Sequence, residues 1–192
     1  MQQSSRRSSD THPIRIDSVQ PNAGWALIGM SFCPGKKQVD GRSGDWHRDL
    51  ASDLTRVQQW GASLVISLIE DHEFDELQVR QLPDDVQRLG MKWRHLPIRD
   101  MSLPGKDFND LWPEVGQEIM STLRAGQRIF LHCKGGLGRT GTVAACLLIE
   151  SGMAAEEAIV QVRLARPKTI ETALQEWYVM HYEAMFLTAA AA

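Results

Sequence analysis

The 192-residue sequence contains no apolar run long enough to span a bilayer, and its first residues lack the apolar core of a secretory signal. It has only three cysteines, Cys33, Cys133 and Cys146. That odd number, without metal-ligand spacing, argues against a disulfide framework and against a metal centre. Neither sign of charge dominates: 21 Lys and Arg stand against 24 Asp and Glu, a formal net charge of −3. Such a balance gives no reason to expect nucleic-acid or membrane partners. Gly-Lys-Ser/Thr is missing, which removes a nucleoside-triphosphate loop, and no internal repeat or linker divides the chain. With 43% apolar and 23% charged residues, the composition fits one globular domain with a proper core. The expectation is a cytoplasmic protein without metal or cofactor; its oligomeric state is not legible.

What the sequence does have is one stretch, Arg128 to Gly141. Ile129-Phe-Leu131 reads as a buried strand. A loop with Gly135, Gly136 and Gly138 follows, and then an almost wholly apolar helix through Glu150. A strand feeding a Gly-rich loop at a helix N-terminus suits an anion, because successive backbone N–H groups turn inward and the helix dipole adds positive potential. Glycine permits the backbone conformations that such a wrap requires. Into this cradle fall one thiol, Cys133, and one guanidinium, Arg139. The cradle favours a thiolate at neutral pH, and Arg139 can hold two phosphate oxygens through its fork. A nucleophile and an oxyanion clamp in one loop predict a cysteine-dependent phosphatase.

The stretch admits two other readings. Gly136 to Gly141 is a literal G-x-G-x-x-G between a strand and a helix. A dinucleotide fold, however, needs a second parallel strand after that helix, and residues 153–163 have helical spacing instead. A free cysteine is commonly just a small buried apolar residue. Against that stand His132 before it, three loop glycines and Arg139-Thr140 after it.

His-Cys-x5-Arg-Thr-Gly resembles the signature of the protein tyrosine and dual-specificity phosphatase superfamily. His132 to Arg139 is most similar to the kinase-associated phosphatase branch (the cyclin-dependent kinase inhibitor type) and its bacterial relatives, over roughly residues 24 to 183. The resemblance implies an α/β fold of that type and a cysteinyl-phosphate formed on Cys133. Arg139 and the loop of Lys134, Gly135, Gly136, Leu137 and Gly138 would bind the oxygens. Asp100, in Leu96-Pro-Ile-x-Asp, matches the general-acid block and follows a strand; Asp107 and Asp110 are weaker candidates. Thr140 donates to the Cys133 sulfur, caps the next helix, or both. His132 orients the loop, and Gln175 positions the hydrolytic water. No metal is required.

The substrate class is read from what surrounds the loop. No deep recognition loop with a stacking tyrosine precedes Asp45, so a shallow pocket for phosphoserine, phosphothreonine and phosphotyrosine in a phosphorylated protein is expected. Lipid phosphatases of the superfamily carry lysine at the Lys134 position and again three residues on. Leu137 stands at the second position and weighs against inositol headgroups without excluding them, so a phosphoinositide or inositol phosphate phosphatase is the alternative within the enzyme class. Arg166 and Lys168 either contact substrate or are solvated. A phospho-binding module without turnover is the alternative of another class. It would be favoured by loss of thiol, arginine or acid, and all three are present.

Around this centre the pattern predicts one α/β domain over residues 13–188, with a mostly parallel sheet, helices on both faces and a disordered segment over residues 1–12. Strands are expected at residues 14–19, 24–30, 63–69 and 92–98, and helices at 45–60, 83–89, 108–123, 154–164 and 170–186. The acidic Glu70-Asp-His-Glu73 follows a central strand at the ligand edge of the sheet. It either selects positive surroundings on a substrate or caps the helix beginning near Phe74. Cys33 is a redox partner for Cys133 or a solitary turn cysteine.

Overall fold

The computed structural model describes residues 6–39, 41 and 44–186. In chain order it contains β1 (Asp17–Val19), β2 (Ile28–Phe32), β3 (Lys37–Gln38), β4 (Trp46–His47), α1 (Leu50–Gln59), β5 (Ala62–Ser67), α2 (Asp71–Glu76) and α3 (Leu82–Arg88). Then come β6 (Lys92–His95), α4 (Lys106–Arg124), β7 (Arg128–Cys133), α5 (Gly138–Glu150), α6 (Ala155–Ala165) and α7 (Ala173–Met180). β3 and β4 form a separate two-stranded sheet.

Successive residues of a strand face opposite sides of its sheet, so a strand buried at every position is covered on both faces. Leu64, Val65 and Ile66 of β5, and Ile129, Phe130 and Leu131 of β7, are all 0% exposed. These two strands are central in a five-stranded sheet of order β1-β2-β7-β5-β6. Only the edge pair β1–β2 is antiparallel; β2, β7, β5 and β6 run parallel. Every residue of α5 is buried, packed against β2, β7, α6 and α7. The expected single-domain α/β architecture with a mostly parallel sheet is therefore the one observed. No described helix is long and apolar enough to cross a membrane.

Several boundaries differ, each for a local reason. The helix expected from Asp45 begins at Leu50, because Trp46 pairs in β4 and the Asp49 carboxylate caps α1 by accepting from Ser52 N–H. The last helix is shorter than the apolar pattern through Phe186 suggests. Thr172 and Gln175 start it with a capping box. Beyond it, the buried Glu150 carboxylate accepts the Tyr182 hydroxyl and the Met185 and Phe186 N–H groups, so this stretch satisfies its donors without helix.

The N-terminal expectation needs correction over residues 6–12; residues 1–5 lie outside the described residues. Arg7 bridges to Trp46, and Ser9 is buried against Asp49. The anchor is Arg48, 1% exposed, whose guanidinium donates to the His12 carbonyl at 2.7 Å and is held by Asp53, 0% exposed, at 2.7 and 2.8 Å. Asp53 also accepts the Gly35 N–H at 2.9 Å. Local composition hid this, because both partners come from elsewhere in the chain. Asp53→Ala should leave Arg48 buried and unpaired, lowering stability by roughly 3–5 kcal/mol in denaturant titration. A change below about 1 kcal/mol would show that the pair does not hold this region together.

Candidate active site

Parallel strands end on one edge of the sheet, which brings four separate loops together. The loop after β7 starts at Cys133, 3% exposed, and runs into α5 at Gly138. Gly136 adopts φ +69°, and a β-carbon there would lie 2.2 Å from the Ser31 carbonyl, so both conformation and space require glycine. Arg166, paired with Asp17 at 2.7 Å, donates through Nε to the Gly136 carbonyl (2.6 Å) and through Nη2 to that of Gly135 (3.3 Å). In a trans peptide the carbonyl and the following N–H point opposite ways. Holding these carbonyls outward therefore turns the Gly136 and Leu137 N–H groups inward. Gly136 N–H accordingly lies 3.2 Å from Cys133 Sγ.

Arg139 is 2% exposed and heavily tied. Nη1 donates to Glu73 Oε2 (2.5 Å) and the Ile98 carbonyl (3.0 Å). Nη2 donates to Glu73 Oε1 (3.1 Å) and pairs with Asp100 Oδ1 (2.8 Å). Burial alone would raise the Glu73 carboxyl, but Arg139 and the Glu70 N–H hold it below the ordinary carboxylate range. Burial likewise opposes the Arg139 charge, and Glu73 with its neighbours more than restores it. Three buried side-chain atoms lack a hydrogen-bond partner among the described residues: Arg139 Nε, Thr140 Oγ1, and His132 Nδ1, which is turned to the Cys133 backbone. All belong to this loop and its flanks. A guanidinium with a free Nε–H, beside inward N–H groups and a thiol, can bind a tetrahedral oxyanion in line for attack by sulfur.

Behind the loop, Trp93 Nε1 donates to Ser67 Oγ (3.0 Å), and Ser67 Oγ lies 2.7 Å from His132 Nε2. The serine hydroxyl accepts from tryptophan and bridges it to His132, which fixes the ring with Nδ1 on the side of the Cys133 backbone. Burial pushes His132 down to about 3 from its ordinary 6.5, so the ring is neutral.

The sequence-predicted residues fall into place unevenly. Cys133, Arg139, Asp100, Thr140 and the loop from Lys134 to Gly138 converge, with His132 directly behind them. Asp110 pairs with Lys106 on the exposed side of α4, and Asp107 is exposed there too. Gln175 is buried beside Gly138, but its side chain accepts from Glu171 and Thr172 N–H and donates to the Ser102 carbonyl. Glu171, not singled out from sequence, accepts the Gly138 N–H at 2.8 Å, a cradle donor that an entering oxyanion would take over. In the acidic segment Glu70 and Glu73 form a capping box on α2, and Glu73 is in addition the counter-ion of Arg139. Cys33 is fully buried, and burial pushes its thiol up; it is a free cysteine. A cleft of about 790 Å³ opens beside the loop, lined by Lys36, Lys134, Arg163, Arg166, Lys168 and Glu171 among others.

The neutral His132 carries a linkage consequence. Its folded value lies below its unfolded one, so the unfolded chain takes up the proton first. Stability should fall as pH drops from about 6.5 toward 3, by up to roughly 1.4 kcal/mol per pH unit from this group. His132→Gln should remove that share of the slope in denaturation curves recorded between about pH 6 and pH 4. Parallel curves for the two proteins would mean that His132 is not buried neutral.

Known proteins are similar to this chain in sequence and in fold. The family described as "Polymorphic toxin system, DSP-PTPase phosphatase" matches residues 41–153, more than half of the chain. Cyclin-dependent kinase inhibitor 3 of Rattus norvegicus is 27% identical over 185 residues, covering 91% of this chain and 84% of the rat protein. The Homo sapiens protein of that name gives the same identity and coverage. The solved structure of kinase-associated phosphatase, with serine replacing its catalytic-site cysteine, matches at TM-score 0.76 and 26% identity, covering 88% of this chain and 93% of that one. Tk-PTP in its active form matches at TM-score 0.62 and 26% identity, over 85% and 93%. The chain therefore belongs to the DSP-PTPase phosphatase family, and it is a cysteine-dependent protein phosphatase of the dual-specificity and tyrosine phosphatase superfamily, near the kinase-associated phosphatase branch.

Proposed function

We propose that the chain hydrolyses phosphoserine, phosphothreonine and phosphotyrosine in proteins through a cysteinyl-phosphate. The observation that carries this reading is the Arg139 guanidinium, held by Glu73 with Nε unpartnered among the described residues, in one loop with Cys133 and inward N–H groups. The Cys133 thiolate attacks phosphorus, the P–S bond forms and the P–O bond to the leaving group breaks. Arg139 and the N–H groups of the loop hold the equatorial oxygens. Asp100, on the loop after β6, gives its proton to the leaving oxygen. A phosphate taking the Nη2 edge would displace the Asp100 carboxyl, now bonded there, toward that oxygen. Water then attacks phosphorus, its proton passes to the Asp100 carboxylate, and the P–S bond breaks to return thiolate and inorganic phosphate.

Thr140 Oγ1, buried without a partner among the described residues, is the donor assigned to the sulfur when it leaves. His132 orients the Cys133 backbone. Gln175 fixes the Glu171–Thr172 backbone beside the cradle and lies close enough to share in placing the water. A working thiolate needs reducing surroundings, which supports a cytoplasmic location. Relatives named as inhibitors of a cyclin-dependent kinase, or as kinase-associated, support a phosphoprotein as substrate.

Cys133→Ser should abolish turnover and retain phosphate-ester binding, because the oxyanion donors survive. Acid-quenched wild-type protein should carry phosphate on Cys133 by mass spectrometry; near-wild-type turnover in the variant would remove Cys133 from the nucleophile's role. Phosphopeptides should be dephosphorylated in preference to inositol phosphates, and the reverse order would shift the substrate class.

Asp100→Asn separates acid catalysis from binding. A phosphoserine leaving group needs a proton badly, whereas p-nitrophenolate is a stable anion. The variant should lose roughly 10²–10⁴-fold on phosphopeptides and far less on p-nitrophenyl phosphate. Equal losses on both would dismiss Asp100 as the acid.

A further inference from the structure

Lys36 has no part in the chemistry above, yet its setting is unusual for a lysine. It is 3% exposed, and its ammonium has no carboxylate within ion-pairing distance among the described residues. Nζ donates to the Lys134 carbonyl at 3.2 Å, one residue past the nucleophile. The rings of Trp46 and Phe32 lie 4.7 and 5.2 Å away and shelter it from solvent. Its backbone is fixed on both sides. Gly35 N–H is held by Asp53, and the Lys36 carbonyl accepts from Arg48 N–H, the two residues of the buried pair. A β-carbon on Gly35 would lie 2.6 Å from Leu50, so this tight turn cannot drift.

A lysine is seldom buried unless paired, because desolvation of its charge is costly. The charged and titratable groups facing Lys36 are Arg48 beside β4, Lys134 after β7, the Cys33 thiol on its own loop and the Cys133 thiol at the end of β7. The cations repel it. What can compensate its charge lies at the nucleophile: a thiolate or a bound oxyanion. Geometry adds a second effect. Drawing the Lys134 carbonyl outward turns the N–H of the same peptide, that of Gly135, inward. Lys36 thus does for the first peptide of the cradle what Arg166 does for the next two.

We propose that Lys36 is a positioning residue of the phosphate cradle, holding the Lys134–Gly135 peptide with its N–H inward and supplying a buried positive charge to the bound oxyanion. This rests on the anion-binding reading of the loop. Burial lowers Lys36 to about 8, with the two thiols opposing that shift, so its contribution is complete below that pH and is lost as pH rises through it.

The test is sulfate binding by calorimetry to the full chain carrying Cys133→Ser, which removes the thiol itself. Sulfate keeps one charge state between about pH 7 and pH 10. The parent should bind sulfate about tenfold more weakly above this range's midpoint than at pH 7. Adding Lys36→Gln should give the weak affinity at every pH, and Lys36→Met should be weaker still because the carbonyl is released. Lys36→Arg should restore binding at pH 7 and abolish the fall at alkaline pH. A purely structural lysine would change the melting temperature and leave the pH dependence intact. Parent-like affinity and pH dependence in the Gln and Met variants would overturn the role of Lys36 alone. Failure of the parent to bind sulfate would overturn the anion-cradle reading, and the role of Lys36 with it.

Discussion

The site depends on keeping one guanidinium charged and still where water hardly reaches it. An unpaired charge in that position costs several kcal/mol. Arg139 avoids the cost through the two-point contact with Glu73 and the carbonyl of Ile98. Glu73 is itself fixed, because its other task is to accept the Glu70 N–H and start α2. The Arg139 guanidinium therefore ties the segments after β5 and β6, through Glu73 and the Ile98 carbonyl, to the first turn of α5. Orientation is established during folding rather than on substrate arrival, which is what electrostatic preorganisation requires. The same contacts select which edge of Arg139 stays available: among the described residues Nε is unpartnered, and Nη2 meets the half-exposed Asp100, a partner that a ligand could displace.

A glycine-rich loop cannot hold its own shape, since glycine has the most conformational freedom to lose. The ordering comes from outside it. Arg166, 30 residues further on, and Lys36, 98 residues earlier, reach its carbonyls with long side chains. Each strut is braced in turn, Arg166 by Asp17 of β1 and Lys36 by the turn that the Arg48–Asp53 pair secures. The edge strand and the segment before α1 thus contribute to the cradle although neither carries a reacting group. Sequence change in either region would reach the loop through these contacts.

This arrangement explains what was legible in the sequence. The strand, loop and helix around Cys133 could be read because their signals are local: an apolar run, glycines, then a second apolar run. Asp100 could be placed at the same edge because it follows a strand, but only the resemblance of Leu96-Pro-Ile-x-Asp to a general-acid block singled it out. The acidic segment was placed near the site because it too follows a strand. That Glu73 would pair with Arg139 was not read, because the partners are 66 residues apart and no local pattern encodes the contact. Lys36, Glu171 and the ordered residues 6–12 escaped for the same reason. Trp46 suited helical spacing and nevertheless entered β4, where its ring covers Lys36; a tertiary contact overrode a periodic one.

Charge around the cleft bears on substrate choice. Five cations line it on a chain whose formal net charge is −3, which creates a local field that draws anions in. Three of the five have carboxylate partners: Lys134 with Glu76, Arg163 with Glu176 and Arg166 with Asp17. Lys36 faces the nucleophile, which leaves Lys168 as the lining cation without an ion pair among the described residues. Glu171 adds a negative charge at the lip. A ring bearing several phosphates needs a strong, unneutralised basic wall, and this one is largely neutralised by the contacts that shape the loop. That balance supports the proposed substrate, one phosphomonoester on a polypeptide guided by a modest positive field.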